Sequence, residues 1–311
     1  MLSYHTRRTL SEEFEEISTP FHTDGVWLHG AAVTDKEVDT AIDRYQLDGN
    51  IVRDVFDRHE LPRVEFDEKQ TLYMFLRVAW STRAGEVRTA PLLAIAAKQS
   101  FVTLSRTKLC LPREVIRKRP QLCTTDTHML LLSTFANVVT GYEELIHHMA
   151  EMIALTKGRL RKHEATNSDF LQFMTIEENL AIFSYNLSAM LSVAERLRSA
   201  TTQPFNAKEL EALDDIILHI EQLMASVSTS ERTVASVQNA YSTVANNTLN
   251  QRMKWLTIIT LLVTIPNVFY GMYGMNVALP FAREPWAYGA VVGFTVAIMV
   301  VLVIFIRRAK V

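Results

Sequence analysis

Two long hydrophobic runs close the chain. From Trp255 to Ala282, and again from Pro285 to Ile306, no residue carries a charge, and only Arg283 and Glu284 separate the runs. A bilayer core about 30 Å thick is crossed by about 20 apolar residues rising about 1.5 Å each. The pattern predicts transmembrane helices over 255–276 and 285–306, joined by an outer loop at 277–284. Upstream, apolar residues recur three or four apart at Leu213, Ile217, Ile220, Met224, Val227, Val234, Tyr241 and Val244. No proline stands between Pro204 and Pro266 and no glycine between Gly158 and Gly271. Asn206 is placed to cap a helix starting at the next residue. One helix is therefore predicted from about 207 to 273, its part over 206–254 forming a stalk outside the membrane.

The first 205 residues carry two other patterns. Residues 125–160 and 166–200 have helical periodicity and predict two long helices, which fill a segment at 125–205. Residues 1–124 read as a mixed α/β domain. "GVWLHG" (25–30), "PRVEFD", "QTLYMFLRVAW", "APLLAIAA" and "SFVTLSR" predict strands, and "DKEVDTAIDRY" (35–45) and "NIVRDVFDRHE" (50–60) predict helices. The fold class is α+β, a mixed α/β sandwich, followed by a long helical stalk and two C-terminal transmembrane helices.

Charge orients the arrangement. Arg252 and Lys254 precede the first span, and Arg307, Arg308 and Lys310, in a basic tail at 307–311, follow the second. The positive-inside rule places both termini in the cytoplasm of a multi-pass protein of the cell membrane. A net charge of −2 gives no electrostatic case for nucleic acid. The N-terminus has no apolar stretch of the secretory type. Cys110 and Cys123 match no metal-ligand spacing and read as two reduced thiols.

Catalytic patterns are equally scarce. There is no Gly-rich phosphate loop and no Gly-x-Ser-x-Gly elbow. "EELIHH" (143–148) contains Glu144-x-x-His147, a spacing used by di-iron proteins, but no second copy accompanies it. The sequence predicts no enzyme. The stalk seam is polar at "STSERT" (228–233) and "NNTLNQ" (246–251), which suits a helix lining a watery path better than a dry coiled coil. Two spans cannot enclose such a path alone, so a homo-oligomer with the long helix innermost is expected.

"YGMN", Tyr273–Asn276, ends the first span. With its short outer loop and basic tail, it resembles the signature of the CorA family of magnesium channels. "DRHELPRVEF" (57–66) is similar to a stretch of that family's cytoplasmic domain, and "NQRMKWLTIIT" (250–260) to its entry into the first span. The resemblance implies a homopentameric funnel in the lipid bilayer, its first span lining a pore. Mg2+ is then both the transported and the regulatory ion, with Co2+ or Ni2+ also passing. Gly274, Met275 and Asn276 would form a selectivity filter of neutral oxygens. Such a ring suits an ion that gives up its water reluctantly.

Further positions come from the same resemblance. Gly271, Asn267, Thr264, Leu256, Met253 and Asn250 would face the pore, with Leu256 and Met253 as an apolar gate. Asn267 stands where Thr is common, and Thr264 where relatives carry Met. Asp54 and Asp215 would meet across a subunit boundary to hold regulatory Mg2+, with Arg53 in place of a frequent acidic neighbour and Asp214 nearby. Glu284 would attract cations at the outer loop, offset by Arg283. Gly289 and Gly293, four apart, would let the second span pack closely on the first. Two alternatives remain at this point, a zinc transporter of the same superfamily and a non-conducting, membrane-anchored metal sensor. Met275 argues for magnesium over zinc.

Overall fold

The computed structural model describes residues 1–20, 22–109, 111–161, 167–200, 205–275 and 284–308. It divides into two compact units, Met1–Val237 and Gln238–Val311.

The first unit is built on a seven-stranded sheet. Its strands are β1 (Leu2–Thr6), β2 (Glu15–Ile17), β3 (Val26–Ala31), β4 (Arg63–Phe66), β5 (Leu72–Ser81), β6 (Val87–Ala96) and β7 (Ser100–Ser105), in the order β2-β1-β3-β7-β6-β5-β4. Only the central β3–β7 pair is parallel. The alternation along β5 shows how the sequence selects two faces. Leu72, Met74 and Leu76 enter one core, and Tyr73 and Phe75 enter the other. Tyr73 and Phe75 pack with helices α1 (Asp35–Tyr45) and α2 (Gly49–Arg53) and the turn that follows, through Val38, Ala41, Val52 and Val55. The opposite face packs with α3 (Leu111–Lys118), α4 (Thr127–Arg161), α5 (Asn167–Ser199) and the first part of α6 (Ala207–Tyr273).

The sequence-expected strands and long helices are present. β1, β2 and α3 are additional. Within the expected helix over 50–60, regular α-structure stops at Arg53 and a single 3-10 turn, Asp54–Phe56, comes next. The cause is local: Asp57 accepts the His59 backbone N–H at 2.8 Å, a side-chain turn that competes with another helical turn.

α6 starts on the expected cap. The Asn206 side chain accepts the N–H groups of Lys208 and Glu209 at 3.0 Å each, and the Glu209 carboxylate accepts the Asn206 N–H at 2.7 Å. This reciprocal box satisfies donors that a helix start would otherwise leave bare. Leu213, Ile216, Ile220, Leu223, Val227, Val234 and Val237 then bury one face in the first unit. The helix continues through Pro266 without interruption, although that residue removes one backbone hydrogen bond.

The second unit holds the rest of α6 and α7 (Ala287–Arg308). Both helices are long and apolar enough to cross a membrane, and almost none of either apolar window is covered by protein. Large apolar side chains exposed in this way are expensive in water and at home in lipid.

Candidate functional site: one face of the spanning helix and a carboxylate pair

α6 carries the candidate pore residues, and their rotation about the helix axis can be read directly. At about 100° per residue, Asn250, Met253, Leu256, Thr264, Asn267, Gly271 and Gly274 fall within an arc of roughly 120°. All seven are exposed. Two residues that sequence reasoning missed, Thr257 and Thr260, lie on the same stripe and are also exposed. The 3.6-residue period was the signal that would have found them.

The opposite side of α6 is the packing side. Ile258, Leu262, Ile265 and Phe269 are partly covered there. Phe269 meets Phe294 of α7 edge to face, with ring centroids 5.5 Å apart. An apolar cleft lined by Phe269, Met272, Tyr273, Trp286, Val291 and Phe294 continues this contact. Thr295 is turned inward on α7, and its hydroxyl donates to the Val291 carbonyl at 2.8 Å.

Among the described residues, the expected close contact at Gly289 and Gly293 is not made. Both are exposed, and a Cβ built on either would meet nothing within 4 Å. The aromatic pair, on another face of α7, makes contact with α6 instead. The polar stripe of α6 therefore points away from α7, with no covering among the described residues.

At the outer end, α6 stops at Tyr273. The Gly274 N–H donates to the carbonyls of Tyr270 (3.0 Å) and Gly271 (3.2 Å), and the Met275 N–H to that of Met272 (3.3 Å). Gly274 does not take the left-handed conformation common at helix ends. A Cβ there would stand 3.3 Å from the Tyr270 carbonyl oxygen and 3.5 Å from that of Gly271, so a larger residue would crowd the Tyr270 carbonyl. Asn276 and Arg283 lie outside the described residues. Glu284 is exposed, and its carbonyl accepts the Ala287 N–H at 3.1 Å as α7 begins.

In the first unit, Asp54 is not a bare carboxylate. Its side chain is about half exposed and pairs with the Arg63 guanidinium at 2.7 Å. Arg63 also holds Glu60 and, at 2.5 Å, Glu65, and it sits 4.4 Å from the centroid of the Phe75 ring. One cation thus gathers three carboxylates at the edge of the sheet, leaving formal charge −2. Arg53 pairs with Asp39 at 2.9 Å.

Asp215 projects from the exposed side of α6 and has no ion-pair partner among the described residues. Its neighbour Asp214 is held by Arg198 at 2.9 Å. Within one chain, no contact between Asp54 and Asp215 is seen among the described residues. Both face solvent.

The "EELIHH" stretch resolves into pairs. Glu143 meets His219 of α6 at 3.2 Å, and His147 meets Glu151 at 3.5 Å. Among the described residues no group of three or more His, Cys, Asp or Glu is arranged to hold a metal. Cys123 is a free thiol, and Cys110 lies outside the described residues.

Known proteins share this fold. The family model described as "CorA-like Mg2+ transporter protein" matches residues 23–308. The cobalt/magnesium transport protein CorA of Methanocaldococcus jannaschii is 22% identical over 260 residues, covering 81% of this chain and 80% of that relative. The cobalt/magnesium transport protein CorA of Thermotoga maritima is 20% identical over 320 residues, covering 96% and 89%. Among solved structures, the complete CorA magnesium transporter from Methanocaldococcus jannaschii aligns with a TM-score of 0.84 at 19% identity, covering 99% of this chain and 98% of that one. That last likeness is one of fold. With the family model spanning nearly the whole chain, the protein is a membrane protein belonging to the CorA-like Mg2+ transporter family.

Proposed function

We propose that this chain assembles as a homopentamer and conducts Mg2+ passively into the cytoplasm, with Co2+ or Ni2+ as further permeant ions. The observation that carries the reading is the polar stripe of α6, turned away from α7 and ending at Gly274-Met275, within a chain matched to the family from residue 23 to 308. A stripe of that kind is costly against lipid and useful around a shared aqueous axis. Asn276, Gly274 and Met275 would form the outer filter, accepting hydrogen bonds from the waters of a hydrated ion. Asn267, Thr264 and Gly271 continue the path inward, and Leu256, Met253 and Asn250 close it near the cytoplasmic surface, the first two by dewetting.

Both termini and the first unit are assigned to the cytoplasm. An inward-negative potential then drives a divalent ion with about 4.6 kcal/mol at 100 mV. Regulation would occur where Asp54 of one subunit approaches Asp215 of the next. Mg2+ screens their repulsion and holds the pore closed, and its loss loosens the interface. Arg63 already neutralises part of the Asp54 charge and would compete with the ion there. Glu284 would collect cations at the outer mouth.

The test is cation uptake into proteoliposomes loaded with little Mg2+. Uptake of Mg2+, with Co2+ competing, supports the channel. Preferential Zn2+ uptake would instead indicate a zinc transporter. No uptake of any of these ions would leave a metal sensor.

A further inference from the structure

The span of α6 from Trp255 to Tyr273 contains four polar side chains that are not aromatic: Thr257, Thr260, Thr264 and Asn267. They fall within an arc of roughly 80° at about 100° per residue. All four are exposed. Their arc is centred nearly opposite Phe269, the residue that contacts α7.

The three hydroxyls share one hydrogen-bonding state. Thr257 donates to the Met253 carbonyl at 2.9 Å, Thr260 to that of Leu256 at 2.8 Å, and Thr264 to that of Thr260 at 2.7 Å. Each hydroxyl proton is thus committed to its own helix. What each oxygen turns outward is lone pairs only.

The same internal bond occurs at Thr229, Thr233, Thr243 and Thr248 farther up α6, so the bond itself is ordinary for helical threonine. Thr229, Thr233 and Thr248 lie on other faces of the helix, and Thr243 lies just outside the stripe, beside Asn250. What distinguishes the span is the alignment of its threonines.

The waters around a small dication point their hydrogens outward, so a hydrated dication presents donors. Waters around an anion present oxygens. A row of oxygens that can only accept therefore fits the first and not the second.

We propose that Thr257 and Thr260, with Thr264, form an acceptor ladder that carries the hydrated cation between Asn267 and Leu256 and keeps the middle of the path wet. This rests on the reading that α6 lines the pore, and it adds two residues and a selection for hydrated cations to that reading. The ladder also confines the apolar constriction to Leu256 and Met253, below its lowest rungs.

The test has two arms on the full-length protein in proteoliposomes, in a background with Cys110 and Cys123 replaced by serine. In the first, Thr257→Cys, Thr260→Cys, Ile258→Cys and Leu262→Cys are exposed to a small, water-soluble cationic thiol reagent. Labelling at 257 and 260, with 258 and 262 protected, is the expected result, and it requires no ion flux. Labelling at 258 and 262 alone would overturn the ladder, while flux sensitive to Asn276 would still support the channel.

In the second arm, Thr260→Val, which keeps the shape and removes the acceptor, should lower Mg2+ flux about tenfold. Thr260→Ser should restore most of it. Equal flux in the Val and Ser variants would also overturn the ladder, even where the labelling pattern is as expected.

Discussion

Arg63 is the residue whose role changes most between sequence and structure. A stretch read as a family marker turns out to contain a cation holding Asp54, Glu60 and Glu65 together. Because Asp54 is half exposed, its pairing with Arg63 is worth at most about 1 kcal/mol. If Asp54 binds regulatory Mg2+, Arg63 competes with that ion. Arg63→Gln should then lower the internal Mg2+ needed for half-inhibition of flux by about fivefold. Asp54→Asn should raise it, and both shifts are read from a Mg2+ titration of uptake rates.

Gly30 gives a prediction of another kind. Near the end of β3, a Cβ on Gly30 would lie 2.5 Å from Val33 and 2.7 Å from Leu104. Gly30→Ala overfills that spot and should cost about 1–3 kcal/mol in denaturant unfolding of the detergent-solubilised protein.

At the scale of elements, what was legible in the sequence tracked how local its cause was. The apolar spans needed no tertiary information, because a stretch without charge speaks for itself. The start of α6 was legible because Asn206 and Glu209 lie within one turn. β1 was not. Its "LSYHT" buries His5, whose polar ring gives no signal of a core position, stacked on Phe14 at 5.2 Å. The pairing of Asp54 with Arg63 was hidden because it spans nine residues across a loop whose course is set by the sheet. The glycines of α7 misled because small residues permit close packing but do not compel it.

The buried β1 histidine also sets an acid limit. Desolvation lowers the His5 pKa from 6.5 to about 4, against a smaller opposing pull from Glu16. Between these values the unfolded chain binds a proton that the native state does not. Stability should therefore fall as pH drops from 6.5 towards 4, by at most about 1.4 kcal/mol per pH unit from this group, and level off below. His5→Phe should flatten that slope in an unfolding series from pH 7 to 4.

For the whole molecule, a shared path along α6 needs several copies of the chain. The α6 stripe is polar on a helix otherwise suited to lipid, and a single chain offers it no partner among the described residues. Native mass measurement in nanodiscs should give five chains, and a monomer would remove the shared path on which the proposed function depends. The central claim is that hydrated Mg2+ passes a neutral filter ending at Asn276. The most direct measurement is Mg2+ uptake by wild type and Asn276→Ala in matched proteoliposomes at low internal Mg2+. The account predicts robust uptake by the wild type and a loss of about tenfold or more of Mg2+ flux in the variant. Equal uptake by the two proteins would contradict it.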